Sequence, residues 1–134
     1  MCAGACRPGP TIDHKTSKGS ALREELGHVA GLAWQWEHLA IRDCDVPAVA
    51  QMQKILDAID QASVSGQIVY VHCWGGKGRT GTVVGCYLAR QGAALGEAAL
   101  KLLSQLTKAA PYDFGYVPQT PAQCAFVRNW RQGQ

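Results

Sequence analysis

The sequence predicts an α/β fold in which a central, mostly parallel sheet is flanked by helices. Three observations lead there. The run Gln67-Ile68-Val69-Tyr70-Val71-His72 is short, apolar and β-branched, as buried parallel strands are; residues 34–41 alternate in the manner of a half-buried strand; and each run is followed by a segment with helical periodicity. The chain has 134 residues, of which 47% are hydrophobic and 17% charged, the composition of one ordinary domain. A chain of this size buries roughly two-thirds of its unfolded surface, so its core needs neither a metal nor a disulfide staple.

The elements follow in order. Residues 1–20, rich in Gly, Pro, Ser, Thr and Lys, read as an irregular N-terminal tail, and 21–134 as a single domain. Leu22, Leu26, Val29 and Leu32 have rough helical spacing, weakened by Gly27 and Gly31. The alternation from Trp34 to Ile41 leads into a polar turn, Arg42-Asp43-Cys44-Asp45, which carries two carboxylates. Pro47 suits a helix start, and Val49, Met52, Ile55, Leu56 and Ile59 line one face of that helix until Ser65-Gly66 ends it. After the second strand, residues 82–90 are apolar on nearly all sides, which implies a helix buried on most faces and closed by Gly92. A further helix spans Leu95 to Leu106, with Ala98, Ala99, Leu102, Leu103 and Leu106 on one face. An aromatic-bearing loop, residues 111–120, precedes Thr120-Pro121-Ala122-Gln123, a capping-box spacing with Pro at the first helical position.

Composition excludes several functions. The excess of 13 Lys and Arg over 10 Asp and Glu is small and scattered, so no nucleic-acid footprint exists. No apolar stretch reaches the length of a membrane span, and the N-terminus lacks the uninterrupted apolar core of a signal peptide, so a cytoplasmic location is expected. Cysteines stand at 2, 6, 44, 73, 86 and 124 without Cys-x-x-Cys spacing; no zinc site is supported, and a reducing compartment would keep them as thiols. Cys86 and Cys124 read as core thiols, Cys2 and Cys6 as unpaired thiols of the tail.

The second strand runs directly into Cys73-Trp74-Gly75-Gly76-Lys77-Gly78-Arg79-Thr80-Gly81. A strand, a glycine-rich loop and a helix start aim consecutive backbone N–H groups and the positive end of a helix at one spot, which binds an anion. Gly75, Gly76 and Gly78 permit left-handed backbone, so that several amides can curl around a tetrahedral anion. The same field lowers the pKa of a cysteine at the strand end, making Cys73 a thiolate near neutrality. Arg79 presents a planar fork to two phosphate oxygens. A nucleoside-triphosphate loop would require Ser or Thr after Lys77, where Gly78 stands. A rhodanese-like loop would lack the Arg-Thr-Gly helix start, and a tight turn around an inert thiol is the structural alternative.

His72-Cys73-x5-Arg79-Thr80-Gly81 resembles the signature of cysteine-dependent protein tyrosine and dual-specificity phosphatases. The likeness spans roughly residues 34–131 and is specific at 72–81. It implies a compact dual-specificity-phosphatase-like fold, here with a reduced number of N-terminal strands, and phosphomonoester hydrolysis through a phosphocysteine without metal or other cofactor. Cys73 is then the nucleophile, and the loop residues Trp74, Gly75, Gly76, Lys77, Gly78 and Arg79 hold the phosphate. Thr80 donates to the thiolate, and His72 organises the loop.

The family also supplies an Asp on a separate upstream loop to protonate the leaving oxygen. Asp43, thirty residues before Cys73, takes that position, with Asp45 as the runner-up; the structural alternative, a carboxylate capping the helix near Pro47, fits Asp45 better. Gln119 resembles the glutamine that places the hydrolytic water, whereas Gln123 has a role in the capping box.

The resemblance implies a phosphorylated protein or small phosphomonoester as substrate, held in a shallow site. Lys77 within Gly-Lys-Gly-Arg also suits inositol phosphates or phosphoinositides. Trp74 either faces the entrance or packs beneath the loop. A catalytically silent phosphate-binding module is the reading from another class, and Cys73, Arg79 and Asp43 together argue against it. A short N-terminal region would leave a sheet edge open to a second copy, as a homodimer. Cys44, beside the proposed acid, is a candidate for oxidative pairing with Cys73.

Overall fold

A computed structural model describes residues 37–109 and 115–134. Among these residues are four helices: α1 (Val49–Val64), α2 (Gly78–Arg90), α3 (Glu97–Lys108) and α4 (Pro121–Asn129). No strand occurs among the described residues, which overturns the expected sheet. The physical reason lies in what a strand is: its N–H and C=O groups need a paired neighbour, and an apolar run alone supplies none. Ile68 is 95% exposed and Tyr70 61%, so the run 67–72 does not lie between two covered faces as a central parallel strand would. The tail, the helical spacing at 22–32 and residues 34–36 fall outside the described residues, as do 110–114 of the aromatic loop.

The helices carry clear local determinants. α1 starts after Pro47 and ends in a Schellman arrangement: Gly66 (φ 72°) donates to Ser63 O and Gln67 to Ala62 O, both at 3.0 Å. α2 closes the same way, with Gly92 (φ 71°) donating to Ala89 O and Ala93 to Leu88 O. At the start of α4, Thr120 and Gln123 form a reciprocal capping box with Pro121 at the first helical position. α3 runs from Glu97, two residues later than its periodicity suggests; Ala99 and Leu103 are buried but Leu106 is exposed.

α2 is the central helix, packing against all three others. Met52, Ile55 and Leu56 of α1, Val83, Cys86 and Ala89 of α2, Ala99 of α3, and Val127 with Trp130 at the end of α4 form one core. The approach of α4 to α2 depends on glycine. A Cβ at Gly85 would lie 2.7 Å from Val127 Cγ1, and one at Gly81 2.4 Å from Val117 Cγ1. Arg90 at the end of α2 pairs with Asp57 (2.5 Å) and Asp60 (3.0 Å) of α1, and Arg128 of α4 with Glu97 of α3 (2.8 Å). This packing fixes the start of α2, and with it the loop 73–79.

Two cysteine expectations change. Cys44 and Cys124 are disulfide-bonded rather than thiols. Cys73 and Cys86 are free, so the pairing of Cys44 with Cys73 is not formed. Cys2 and Cys6 lie outside the described residues.

Candidate active site

The loop 73–77 leads into α2 at Gly78, so Arg79, Thr80 and Gly81 occupy its first turn. Burial alone would push the Cys73 thiol up. Against this act the Thr80 hydroxyl, the backbone N–H groups of Thr80 and Gly76, and the positive charge of Arg79, and together they bring its pKa below the ordinary 9.0. The Thr80 hydroxyl is buried and engaged in no full hydrogen bond, so it is available to donate to the sulfur once that sulfur is ionised. Cys86, further along α2, shows what burial does without such donors: its thiol is pushed up to about 12. The two free thiols are thus chemically opposite.

The three loop glycines serve different ends. Only Gly76 adopts the left-handed conformation, with φ 68°. Gly78 is required by space, because a Cβ there would lie 2.9 Å from Gln123 Oε1, 3.0 Å from its Nε2 and 3.3 Å from Gln119 Oε1. Gly75 meets nothing within 4 Å, and neither Gly75 nor Gly78 has a positive φ, so the left-handed role expected of them is not theirs. Lys77 stands at the N-cap position of α2 and is partly exposed. Trp74 is 52% exposed. His72 is exposed; its ring stacks on Tyr70 at 5.7 Å, and Nδ1 lies 3.5 Å from the Cys73 carbonyl oxygen.

Arg79 joins the loop to the turn 42–45. Its Nη2 is 3.0 Å from Asp43 Oδ1 and its Nη1 donates to Ile41 O at 3.4 Å. The turn itself is closed by Asp45 N donating to Arg42 O at 3.2 Å, with Cys44 in the left-handed region at φ 61°. Of the two carboxylates, Asp43 therefore faces the phosphate loop, while Asp45 Oδ1 accepts from Val46 N at 2.8 Å. The capping alternative for Asp45 does not hold, since α1 has Ala48 at its N-cap and no side-chain cap.

Gln119 and Gln123 both reach the start of α2, as their approach to Gly78 requires. Gln123 does more than cap its helix: its Nε2 donates to Asp45 O at 3.2 Å. Sequence reasoning found the capping box and missed this second bond, because a side-chain contact across the chain leaves no trace in local spacing. Among the described residues no group of three or more His, Cys, Asp or Glu is arranged to hold a metal ion, and no helix is long and apolar enough to cross a membrane.

A depressed cysteine, a guanidinium, a helix start and a nearby carboxylate form a set that can hold a tetrahedral dianion and exchange a proton beside it. The comparisons with known proteins agree with this chemistry. The family model described as polymorphic toxin system, DSP-PTPase phosphatase, matches residues 12–93, more than half of the sequence, and the chain belongs to that family. The membership of the dual-specificity-like cysteine phosphatases expected from the motif at 72–81 is borne out. The chain is also 37% identical over 59 residues to the phosphatidylglycerophosphate phosphatase PTPMT2 of Arabidopsis thaliana. That stretch covers 42% of this chain and 26% of the plant protein, so the chain spans about a quarter of the curated relative's length. No solved structure matches it significantly.

Proposed function

We propose that this DSP-PTPase phosphatase hydrolyses phosphomonoesters in two steps through a phosphocysteine at Cys73, with residues 21–134 as its catalytic domain. The observation that carries the reading is the convergence on Cys73 of the Thr80 hydroxyl, the backbone N–H groups of Thr80 and Gly76 and the Arg79 charge, which hold its thiol below the ordinary value despite burial, with Asp43 3.0 Å from Arg79. In the first step the Cys73 thiolate attacks phosphorus in line, the S–P bond forms and the P–O ester bond breaks. Protonated Asp43 gives its proton to the leaving oxygen, while Arg79 and the loop amides stabilise the equatorial oxygens. In the second step water attacks phosphorus and its proton passes to Asp43. The S–P bond then breaks, releasing phosphate and restoring the thiolate, with Gln119 positioning the water. The proximity of Asp43 to Arg79 favours it over Asp45 as the acid.

Trp74 stands half-exposed beside the nucleophile, which supports a shallow site accepting varied phosphomonoesters, phosphotyrosine and phosphoserine among them. A second reading, a phospholipid or inositol-phosphate substrate, draws on Lys77 within the loop and on the name of the plant relative, a phosphatidylglycerophosphate phosphatase. Phosphate release from a nitrophenyl phosphate, with chelator present, tests the enzyme. Activity that persists in chelator and vanishes in Cys73→Ser is expected; equal activity in both proteins contradicts the mechanism. A panel of phosphopeptides and phosphatidylglycerophosphate vesicles then separates the two substrate readings.

A further inference from the structure

We propose that Gln123 is a positioning residue that fixes the acid turn against the phosphate loop. The inference rests on the reading of Asp43 as general acid. Gln123 is fully buried, and both ends of its amide are used. Oε1 accepts from Thr120 N at 3.1 Å, and Nε2 donates to Asp45 O at 3.2 Å. Only one orientation of the amide satisfies both partners, because one is a donor and the other an acceptor.

The capping box needs the oxygen alone: Thr120 Oγ1 accepts from Gln123 N at 3.2 Å and Gln123 returns an acceptor, which Glu supplies equally well. The nitrogen is therefore surplus to the cap, and its partner is the backbone of the acid turn. The same amide packs on Gly78, the residue immediately before Arg79, at a distance that leaves no room for a Cβ. One buried side chain thus touches the start of α2, the start of α4 and the turn 42–45.

That turn is held at three points. Arg79 grips Ile41 O and the Asp43 carboxylate, Gln123 grips Asp45 O, and Cys44 between them is disulfide-bonded. Cys44 has φ 61°, a conformation unfavourable for a residue bearing a Cβ. With that disulfide reduced, releasing the Asp45 end lets the turn relax and carries Asp43 away from the leaving oxygen. A displacement of this kind weakens proton donation but leaves the thiolate and its amides in place.

The test exploits leaving-group chemistry. A nitrophenolate leaves without a proton, whereas an unsubstituted phenolate requires one. The ratio of kcat/KM on nitrophenyl phosphate to that on phenyl phosphate, measured in reductant so that the Cys44 disulfide is open, reports the acid alone and does not depend on how much protein is folded. Gln123→Glu keeps the cap oxygen and removes the donor to Asp45; Gln123→Met removes both in a similar volume. Each is expected to raise the ratio about tenfold, part of the roughly 10²–10⁴-fold that a general acid contributes and that Asp43→Asn should lose on phenyl phosphate. Thr120→Ala, which breaks the cap and spares the Asp45 bond, should leave the ratio unchanged. A shifted ratio in Asp43→Asn beside an unchanged one in both Gln123 variants overturns the positioning role alone. A shift in Thr120→Ala as large as theirs assigns the effect to the cap and also overturns it. An unchanged ratio in Asp43→Asn overturns the acid assignment and this inference with it.

Discussion

Arg79 and Asp43 face each other across the loop, guanidinium nitrogen to carboxylate oxygen at 3.0 Å, with the arginine almost buried and the aspartate 40% exposed. The pair links the phosphate loop to the acid turn through side chains far apart in sequence. It also means that, in the described state, the guanidinium proposed to hold phosphate is shared with a carboxylate.

That sharing has a measurable consequence for anion binding. Asp43→Asn removes a carboxylate that competes for Arg79 and repels a dianion, so inorganic phosphate should bind the variant more tightly. A partly exposed ion pair is worth about 0–1 kcal/mol, which sets the gain at up to roughly fivefold in Kd. Calorimetric titration of both proteins checks it, and weaker binding by the variant would count against competition.

The depressed thiol predicts a pH profile. Alkylation of Cys73 by iodoacetamide should follow a titration with its midpoint below 9.0, and Thr80→Ala, which removes the hydroxyl donor, should move that midpoint up. The sign for stability follows from linkage. The folded thiol ionises more readily than the unfolded one, so the ionised sulfur stabilises the fold fully above about pH 9 and loses that contribution as pH falls through the folded value. A midpoint at or above 9 would remove the basis for a thiolate nucleophile.

Cys86 predicts the opposite slope. Its thiol is pushed up to about 12 by burial, so folding increasingly opposes its ionisation as pH rises beyond the unfolded value of 9.0. The chain should lose stability from this group progressively as pH rises from 9 towards 12. Denaturant unfolding at pH 8 and pH 10 should show a smaller alkaline loss in Cys86→Ala than in the unmodified chain. An equal loss in the two proteins would contradict it.

Two glycines separate packing from conformation. Gly81→Ala places a methyl 2.4 Å from Val117 Cγ1 and 3.3 Å from Pro118 Cα, whereas Gly75→Ala meets nothing within 4 Å. Overpacking of this kind costs about 1–3 kcal/mol, partly offset by the higher helix propensity of Ala, roughly 1 kcal/mol. Thermal unfolding should show Gly81→Ala lowered by several degrees and Gly75→Ala close to the unmodified protein.

What the sequence made legible was local. The periodicity of Val49, Met52, Ile55, Leu56 and Ile59, the glycines 66 and 92 after helix ends, and Thr120-x-x-Gln123 each encode their element within a few residues, and α1, α2 and α4 follow them. The motif from His72 to Gly81 encoded the family for the same reason. The sheet failed because strand pairing is a relation between distant segments, and Ile68 lies exposed where a buried strand was expected. The disulfide state of Cys44 and Cys124 failed likewise, since cysteine spacing does not report which sulfurs meet. The bond from Gln123 to Asp45 joins residues 78 apart, beyond the reach of any local pattern. Within the site, the closeness of Asp43 to Arg79 came from the structure, as spacing alone left both carboxylates available.

The central claim is that the Cys73 sulfur carries the phosphoryl group during turnover. Rapid quenching of the enzyme with radiolabelled nitrophenyl phosphate, followed by peptide mapping, tests it most directly. The account predicts label on the peptide containing Cys73, released by treatments that cleave S–P bonds and absent from Cys73→Ser. Turnover without label on that peptide, or label retained in Cys73→Ser together with activity, would contradict it.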